Sequence, residues 1–455
     1  MKITLNTHIS WYVILILFLI VSFSSCKDDN IVSDYDSSSP VEITKLDPEE
    51  GGAGTQCLIY GKNFGTDLSQ IEVTFNGKKA TVINSNGDCV YCFVPVRAGS
   101  GPVKVTIGKR EQAQECIAEK EFKYEFVTKV GTLVGWMDKD HQSEIVDGNF
   151  EEAGFENIIW IERDKQTGDL IVLEDRKALR RVNLREKKVE TLFYMPQTLA
   201  HVRQLSFSPS CDTLFINNDQ GSDTGVCTAI ALRKEDFRKP HPLIEAASST
   251  GGACHPIYKD YYFNKWNHGG FYQWDFEKGT KKYLNEKGEE TTEGPNATVM
   301  VRVRDMIVSK IIFAPSGEFA YIILEDNIIY KCDFNAETHR LENLQALCGQ
   351  YRNQGTEFAD GFGTSARFTS LQQGCFDEEN NFYVCDQGNY CIRKIEPSGR
   401  VTTFAGRPGE WGYADGELRK EAMLNRPHGI AYDPENKIFY IADKENRCIR
   451  TIQEQ

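Results

Sequence analysis

Apolar and polar residues alternate in short runs through residues 41–127, and each run ends at a turn rich in glycine, asparagine or proline. The runs are VEITKLDP, CLIYGKNFG, IEVTFNGKKATVI, CVYCFVP, GPVKVTIG and EFKYEF. A period of two places neighbouring side chains on opposite faces of a strand, so each run predicts a strand with one buried face. Short strands separated by turns about every ten residues are typical of a β-sandwich. We therefore predict a small all-β sandwich domain here.

Several short motifs in the same segment add a family resemblance. They are Pro48 with Gly51-Gly52, IYGKNFG at 59–65, VTFNG at 73–77, Val94-Pro95 and GPV at 101–103. This set resembles the TIG/IPT family of immunoglobulin-like domains along residues 41–127. The resemblance implies an Ig-like sandwich that serves, in bacterial surface proteins, as a rigid spacer without catalytic residues.

A longer repeat marks the C-terminal part of the chain. One copy has ADG at 359–361, GCFDEENNFYVCDQGNYCIRKI at 374–395 and VTTFAG at 401–406. The other has ADG at 414–416 and GIAYDPENKIFYIADKENRCIRTI at 429–452. Each copy predicts a strand, an acidic turn, a second strand, a turn that begins with Asp, and a third strand. The pattern resembles the NHL repeat, which implies blades of a β-propeller.

Weaker copies of the repeat precede these two. They begin within 157–184, 202–219, 251–276 and 310–334. Together with the two clear copies they predict a six-bladed NHL-type β-propeller over residues 128–455, with roughly 55 residues per blade. Seven blades are the alternative if residues 285–305 contain further strands.

The last copy lacks the fourth strand that VTTFAG supplies to the copy before it. A matching strand, KVGTLVG at 129–135, stands instead ahead of the first copy. The residues after it, GWMDKDHQSEIVDGNF, parallel GRPGEWGYADGEL, which follows VTTFAG. We predict that this strand completes the last blade and closes the ring, which removes open sheet edges.

The N-terminus carries the pattern of an export signal. Lys2 precedes an apolar run, WYVILILFLIVSF at 11–23, which is shorter than the about 20 residues of a membrane span. Ser24-Ser25-Cys26 follows it and resembles a bacterial lipobox. We therefore predict a lipoprotein signal peptide at residues 1–25 and a flexible tether at 26–40, with Cys26 lipidated. The resemblance implies an outer-membrane protein that is held by its lipid anchor and faces outside.

Composition narrows the range of partners. The net charge of -14 argues against a nucleic-acid partner, because phosphate binding requires a basic surface. Of the 14 cysteines, Cys89 and Cys92 have CxxC spacing without a second pair, so we expect no metal site. A disulfide between Cys57 and either Cys116 or one of the CxxC cysteines is left open. No sequence motif indicates a cofactor.

Aromatic residues in predicted loops of the propeller are the candidate ligand-binding residues. Propellers bind ligands through such loops, and planar rings stack on the C–H faces of sugars. The candidates are Trp136, Trp266, His268, Trp274, Trp411 and Tyr413. Trp160, in ENIIWIERD, fits a buried strand and is left out.

The remaining polar candidates favour structural roles. His428 precedes a predicted inner strand and is expected to pack near the channel. Asp360 and Asp415 are expected to cap turns, although two carboxylates could also form an acid and base pair. The chain has no GxSxG, HExxH or glycine-rich phosphate loop, so we predict no catalytic residues and no enzyme activity.

These features predict a non-catalytic surface lipoprotein that captures a polysaccharide or oligosaccharide on its propeller and presents it to an outer-membrane import system. The layout resembles accessory lipoproteins of Bacteroidetes glycan importers, which implies importer proteins as partners. Two alternatives remain: a protein-interaction scaffold of an outer-membrane complex, and a propeller lyase or glycoside hydrolase. An aromatic-lined surface favours glycan capture, and a flat apolar patch favours the scaffold.

Overall fold

The computed structural model describes residues 35–109, 113–136, 143–220, 225–246, 248–274, 276, 299–351 and 357–455, together with the backbone of Tyr283–Leu284 and Glu290–Thr291. The predicted signal peptide, Cys26 and most of the tether lie outside these residues. Contacts divide the chain into two units, Met1–Phe126 and Val127–Gln455. In the described parts no helix is long and apolar enough to cross a membrane. The predicted all-β class is confirmed.

The first unit contains two antiparallel four-stranded sheets. The strands of one are, in spatial order, Glu42–Asp47, Gln56–Lys62, Cys89–Phe93 and Thr81–Ser85. Those of the other are Lys78–Lys79, Ile71–Phe75, Val103–Ile107 and Gln114–Ile117. Glu50–Gly51 and Lys123–Tyr124 form a short parallel pair. Alternate residues such as Cys57, Ile59, Val73 and Phe75 are buried in one core, as the period of two predicted.

The second unit contains six blades, each a sheet of four antiparallel strands that runs outward from an inner strand. The strands of blades 1 to 3 are Ile158–Arg163, Leu170–Glu174, Ala178–Asn183 and Lys188–Tyr194; Val202–Phe207, Thr213–Asn218, Gly225–Leu232 and Pro240–Ala246; Gly252–Cys254, Tyr261–Lys265, Gly270–Trp274 and Val301–Arg302. Those of blades 4 to 6 are Ser309–Phe313, Phe319–Leu324, Ile328–Asn335 and Arg340–Gly349; Leu371–Phe376, Phe382–Asp386, Cys391–Ile395 and Arg400–Gly406; Pro427–Asp433, Ile438–Asp443, Cys448–Glu454 and Thr128–Val134. Two-residue edge strands extend blades 1, 5 and 6, at Gly148–Asn149, Gly361–Phe362 and Gly416–Glu417.

Short 3-10 turns connect some of these strands. They are Leu68–Gln70, Gln197–Leu199, Arg233–Glu235, Gly363–Ser365, Gln387–Asn389 and Lys444–Asn446.

The six inner strands form a closed ring. Each contacts the inner strands of the two neighbouring blades, and the first contacts the sixth. Because the inner strands of blades 3 and 4 touch directly, the segment between them adds no seventh blade. The fourth strand of blade 6 is Thr128–Val134, which pairs with Cys448–Glu454 so that Val130 faces Ile452. The predicted closure of the ring is confirmed.

The cysteines of the described residues are free thiols, most of them buried among strands. Cys57 and Cys92 face each other on neighbouring strands of the first unit, yet they are not bonded. The disulfide left open from the sequence is therefore not formed in this structure.

Candidate functional site

The ring has two different ends. A cavity of about 400 Å³ lies where all six inner strands finish, which shows that the strands run in one direction. We call this end the C-end, and the end at which the inner strands begin the N-end. The loops that lead into the inner strands, and the turns between the second and third strands of each blade, lie at the N-end.

Three predicted ligand-binding residues lie in two neighbouring loops at the N-end, over blade 6 and its junction with blade 1. Trp136, Trp411 and Tyr413 have exposed fractions of 38, 64 and 56%. Both of their loops pack against the turn Lys444–Arg447: Asn446 donates to the carbonyl of residue 412 at 2.8 Å, and the residue before Trp136 approaches the main chain of Arg447. We call these three side chains the blade 6 aromatic cluster.

The other predicted residues are not part of this cluster. Trp266 and His268 lie in the turn between the second and third strands of blade 3, on the opposite side of the N-end. Trp266 is half-buried and His268 is exposed. Trp274 is 6% exposed and packs in a hydrophobic core with Tyr261 and Phe263. Its ring is packed inside this core and away from the N-end loops, so we remove Trp274 from the candidates.

A buried arginine holds the loop of the blade 6 aromatic cluster. The Arg450 side chain is fully buried, and Nη1 donates to Asp443 while Nη2 donates to Asp415, at 2.8 and 2.5 Å. Nη2 also donates to the carbonyl of Ala414 at 2.7 Å. The guanidinium lies 4.9 Å from the centre of the Tyr413 ring. Charge-assisted bonds of this kind fix the loop against the blade.

The same arrangement, which we call an arginine bracket, recurs in two other blades. Arg393 binds Asp386 and Asp360 in blade 5, and Arg180 binds Glu174 and Asp147 in blade 1. Asp360 and Asp415 are therefore neither turn caps nor an acid and base pair. The expectation of turn capping was wrong because the arginines that bind them follow 33 and 35 residues later, on the third strand of the blade that each loop enters.

Hydrogen bonds from glutamine side chains cross the channel. Gln373 of blade 5 accepts from the amides of Ile161 and Ile430, at 3.0 and 3.2 Å, and donates to the carbonyl of Ile161 at 2.7 Å. Gln204 of blade 2 donates to and accepts from Ile311 of blade 4. These bonds satisfy main-chain groups on the inner edges of the blades, which have no further strand to pair with.

Above these glutamines, towards the N-end, polar side chains fill the channel. His428 lies beside the main chain of blade 1, with Nδ1 2.7 Å from the carbonyl oxygen of Ile159. Burial and the charge of Lys310 hold the pKa of His428 well below its usual value. Lys310 is 2% exposed and donates to Gln372 at 3.1 Å. His428 thus packs in the channel as expected.

The cavity at the C-end contains a carboxyl group that the sequence analysis did not consider. Glu162 accepts a hydrogen bond from Nε1 of Trp160 at 3.1 Å, and burial raises its pKa to about 7. Trp160 is 1% exposed, as its strand pattern predicted, and it borders the cavity. The signal in the sequence was a glutamate at the end of an apolar strand. Within the described ranges no three His, Cys, Asp or Glu residues lie close enough to hold a metal ion.

Comparison with family models finds one match in each unit. Residues 40–124 match the IPT/TIG domain, and residues 424–452 match the NHL repeat. A curated Arabidopsis thaliana protein, SUPPRESSOR OF QUENCHING 1, chloroplastic, is 33% identical over 73 residues, which are 16% of this chain and span only 7% of the length of that protein.

Solved structures match nearly the whole chain. An auxiliary nutrient binding protein of Bacteroides thetaiotaomicron is 33% identical, with a TM-score of 0.68, over 92% of this chain and 99% of its own. One of Bacteroides ovatus is 31% identical, with a TM-score of 0.76, over 93% and 100%. Another B. thetaiotaomicron protein, named as a candidate phosphatase, is 28% identical, with a TM-score of 0.65, over 93% and 98%. The chain belongs to the family of the Bacteroides auxiliary nutrient binding proteins.

Proposed function

We propose that this protein is a non-catalytic accessory lipoprotein of the cell surface that captures a polysaccharide or oligosaccharide nutrient and presents it to an outer-membrane importer. The blade 6 aromatic cluster carries the proposal: it exposes three aromatic side chains on adjoining loops, and two solved relatives of the chain are named nutrient binding proteins.

The cluster suits a sugar because two of its three rings are held in place before a ligand arrives. Nε1 of Trp136 donates to the carbonyl of Glu152 at 3.0 Å, and the Tyr413 hydroxyl bonds to Thr132 at 2.9 Å. A fixed ring loses little conformational entropy on binding, which favours affinity. The ion pair of Arg407 and Glu410, 3.1 Å apart in the same loop as Trp411, supplies polar groups for sugar hydroxyls.

The saccharide prediction is tested by replacing the most exposed ring. We expect Trp411→Ala to raise the dissociation constant for the polysaccharide ligand about tenfold or more. Truncating a central aromatic contact costs more than about 1 kcal/mol of binding free energy. Affinity electrophoresis against plant, microbial and host polysaccharides finds the ligand, and calorimetry measures the loss. Tyr194→Ala is the matched control, since Tyr194 is 68% exposed on the outer strand of blade 1.

Other outcomes favour other functions. If no polysaccharide retards the protein, a protein-interaction scaffold becomes the better account. Release of sugar product would indicate a lyase or glycoside hydrolase, and release of phosphate from a phosphomonoester would indicate the activity for which one relative is named. Loss of binding in Trp266→Ala but not in Trp411→Ala would move the site to blade 3.

The proposed anchor gives a separate prediction. We expect Cys26→Ala to move the protein from the membrane fraction to the soluble fraction, because lipidation at this thiol would be lost. Detergent phase partition and the mass of the mature N-terminus measure the change. Cys89→Ala is the control, since Cys89 is a partly exposed thiol of the first unit. Unchanged membrane association in Cys26→Ala would contradict the anchor.

A further inference from the structure

The C-end cavity is a second candidate site, remote from the aromatic cluster at the N-end. Its volume of about 400 Å³ falls in the range of small-molecule sites. Gln204 and Gln373 close its inner end, and both amides are already bonded to main-chain groups. The cavity is therefore a blind pocket that opens at the C-end and offers little hydrogen bonding at its floor.

The rim of this pocket is rigid. Four blades place a proline at the same point, just after the inner strand, and all four border the pocket: Pro209, Pro256, Pro315 and Pro434. Proline fixes the φ angle, so these turns lose little entropy when a ligand binds. The pocket is thus formed in advance of any ligand.

Part of the pocket wall is aromatic. Phe313 of blade 4 and Tyr432 of blade 6 are partly exposed there, and the more deeply buried Phe207 and Phe376 of blades 2 and 5 lie behind the lining. The face of an aromatic ring carries partial negative charge and attracts cations. These walls favour an apolar molecule that bears a positive charge.

One acidic side chain stands inside these walls. Among the described residues Glu162 makes no ion pair, and the only hydrogen bond found to its carboxyl comes from Trp160. Two basic side chains also line the pocket: Arg163 is bound to Asp433 at 3.1 Å, and the charge of Lys165 lowers the pKa of Glu162 but is outweighed by burial. A carboxylate oxygen accepts more than one hydrogen bond, so Glu162 has capacity for a donor or a cation.

We propose that the C-end pocket binds an organic cation, an ammonium group with an apolar substituent, with the ammonium at Glu162 and the substituent against the aromatic walls. An anion would meet the Glu162 carboxylate. The carboxylate and the aromatic faces both favour positive charge, and together they define the ligand class.

The proposal predicts a pH dependence of known sign. The cation binds the ionised form of Glu162, so binding weakens as pH falls through the pKa of about 7. The groups that face this carboxyl are Lys165, Trp160 and the buried thiols of Cys211 and Cys375. Burial raises the pKa of both thiols above its usual value, so they stay neutral at these pH values and do not reverse the sign.

The probe is benzyltrimethylammonium, whose charge is independent of pH, titrated into the full chain by calorimetry. We expect the dissociation constant to rise about tenfold between pH 8 and pH 6, from the ionised fraction of a group with a pKa of about 7. Glu162→Gln at pH 8 should weaken binding about tenfold or more, because it removes the charge at constant shape. Glu337→Gln, at an exposed glutamate outside the lining of the pocket, is the matched control and should leave binding unchanged.

Three results would overturn the proposal: equal affinity for the neutral benzyl alcohol, no pH dependence of cation binding, or no binding at pH 8 up to about 10 mM probe. The unmodified protein supplies all three tests, so they hold even if Glu162→Gln fails to fold. Trp411→Ala should leave cation binding unchanged, and Glu162→Gln should leave polysaccharide binding unchanged. A wrong assignment of the cation site can thereby be distinguished from a wrong assignment of the polysaccharide site.

Discussion

Replacing Arg450 by methionine should lower the free energy of unfolding of the propeller unit by about 3 to 5 kcal/mol. Methionine keeps the apolar stem but removes the guanidinium that binds Asp443, Asp415 and the carbonyl of Ala414. Asp443 is fully buried, so its carboxyl would remain inside the blade without a cation. An uncompensated buried charge is among the few changes that destabilise by this much.

Urea unfolding followed by tryptophan fluorescence measures the loss. Arg419→Met is the control, because Arg419 is exposed in the same loop and its replacement should change stability by less than about 0.5 kcal/mol. Adding Asp443→Asn to Arg450→Met should recover part of the loss, since both charges are then gone. A loss equal to that of the control would show that the bracket does not stabilise the blade.

The second large effect is expected for Gln373→Leu, with a loss of about 2 to 4 kcal/mol. Leucine has a similar volume but cannot bond to the amides of Ile161 and Ile430 or to the carbonyl of Ile161. Each buried polar group left without a partner costs about 1 to 3 kcal/mol. Blades 1, 5 and 6 would lose a connection across the channel.

Hydrogen exchange tests this connection directly. In Gln373→Leu the amides of peptides that cover 158–163 and 427–433 should exchange faster, while those of blade 3 stay unchanged. Gln345→Leu is the control for replacing a glutamine by leucine, because Gln345 is exposed on the outer strand of blade 4. Unchanged exchange in blades 1 and 6 would mean that Gln373 fills the channel without bracing it.

The architecture was predictable because it depends on patterns that recur along the chain. The alternation of apolar and polar residues predicted the strands of the sandwich. Two copies of one repeat predicted the blade, its length and the position of its fourth strand. The match between residues 129–135 and VTTFAG was then enough to predict ring closure. Six blades rather than seven needed the structure, because the segment between blades 3 and 4 carries no clear pattern.

The sites were less predictable, because they depend on contacts between distant residues. Trp274 lies in a strand whose two faces are both buried, so alternation could not separate it from the exposed Trp411. Glu162 and the aromatic residues around it come from five blades, and no local pattern joins them. The partners of Asp360 and Asp415 were hidden for the same reason.

The closing strand also determines when the propeller can fold. Synthesis releases the chain from its N-terminus, so Thr128–Val134 appears first and Cys448–Glu454, its partner, appears last. Blades 1 to 5 can form in sequence, but the early strand has to wait for Cys448–Glu454 before it can join blade 6. Loss of Cys448–Glu454 would therefore leave Thr128–Val134 and Ile438–Asp443 without the strand that pairs with both, and the ring would stay open.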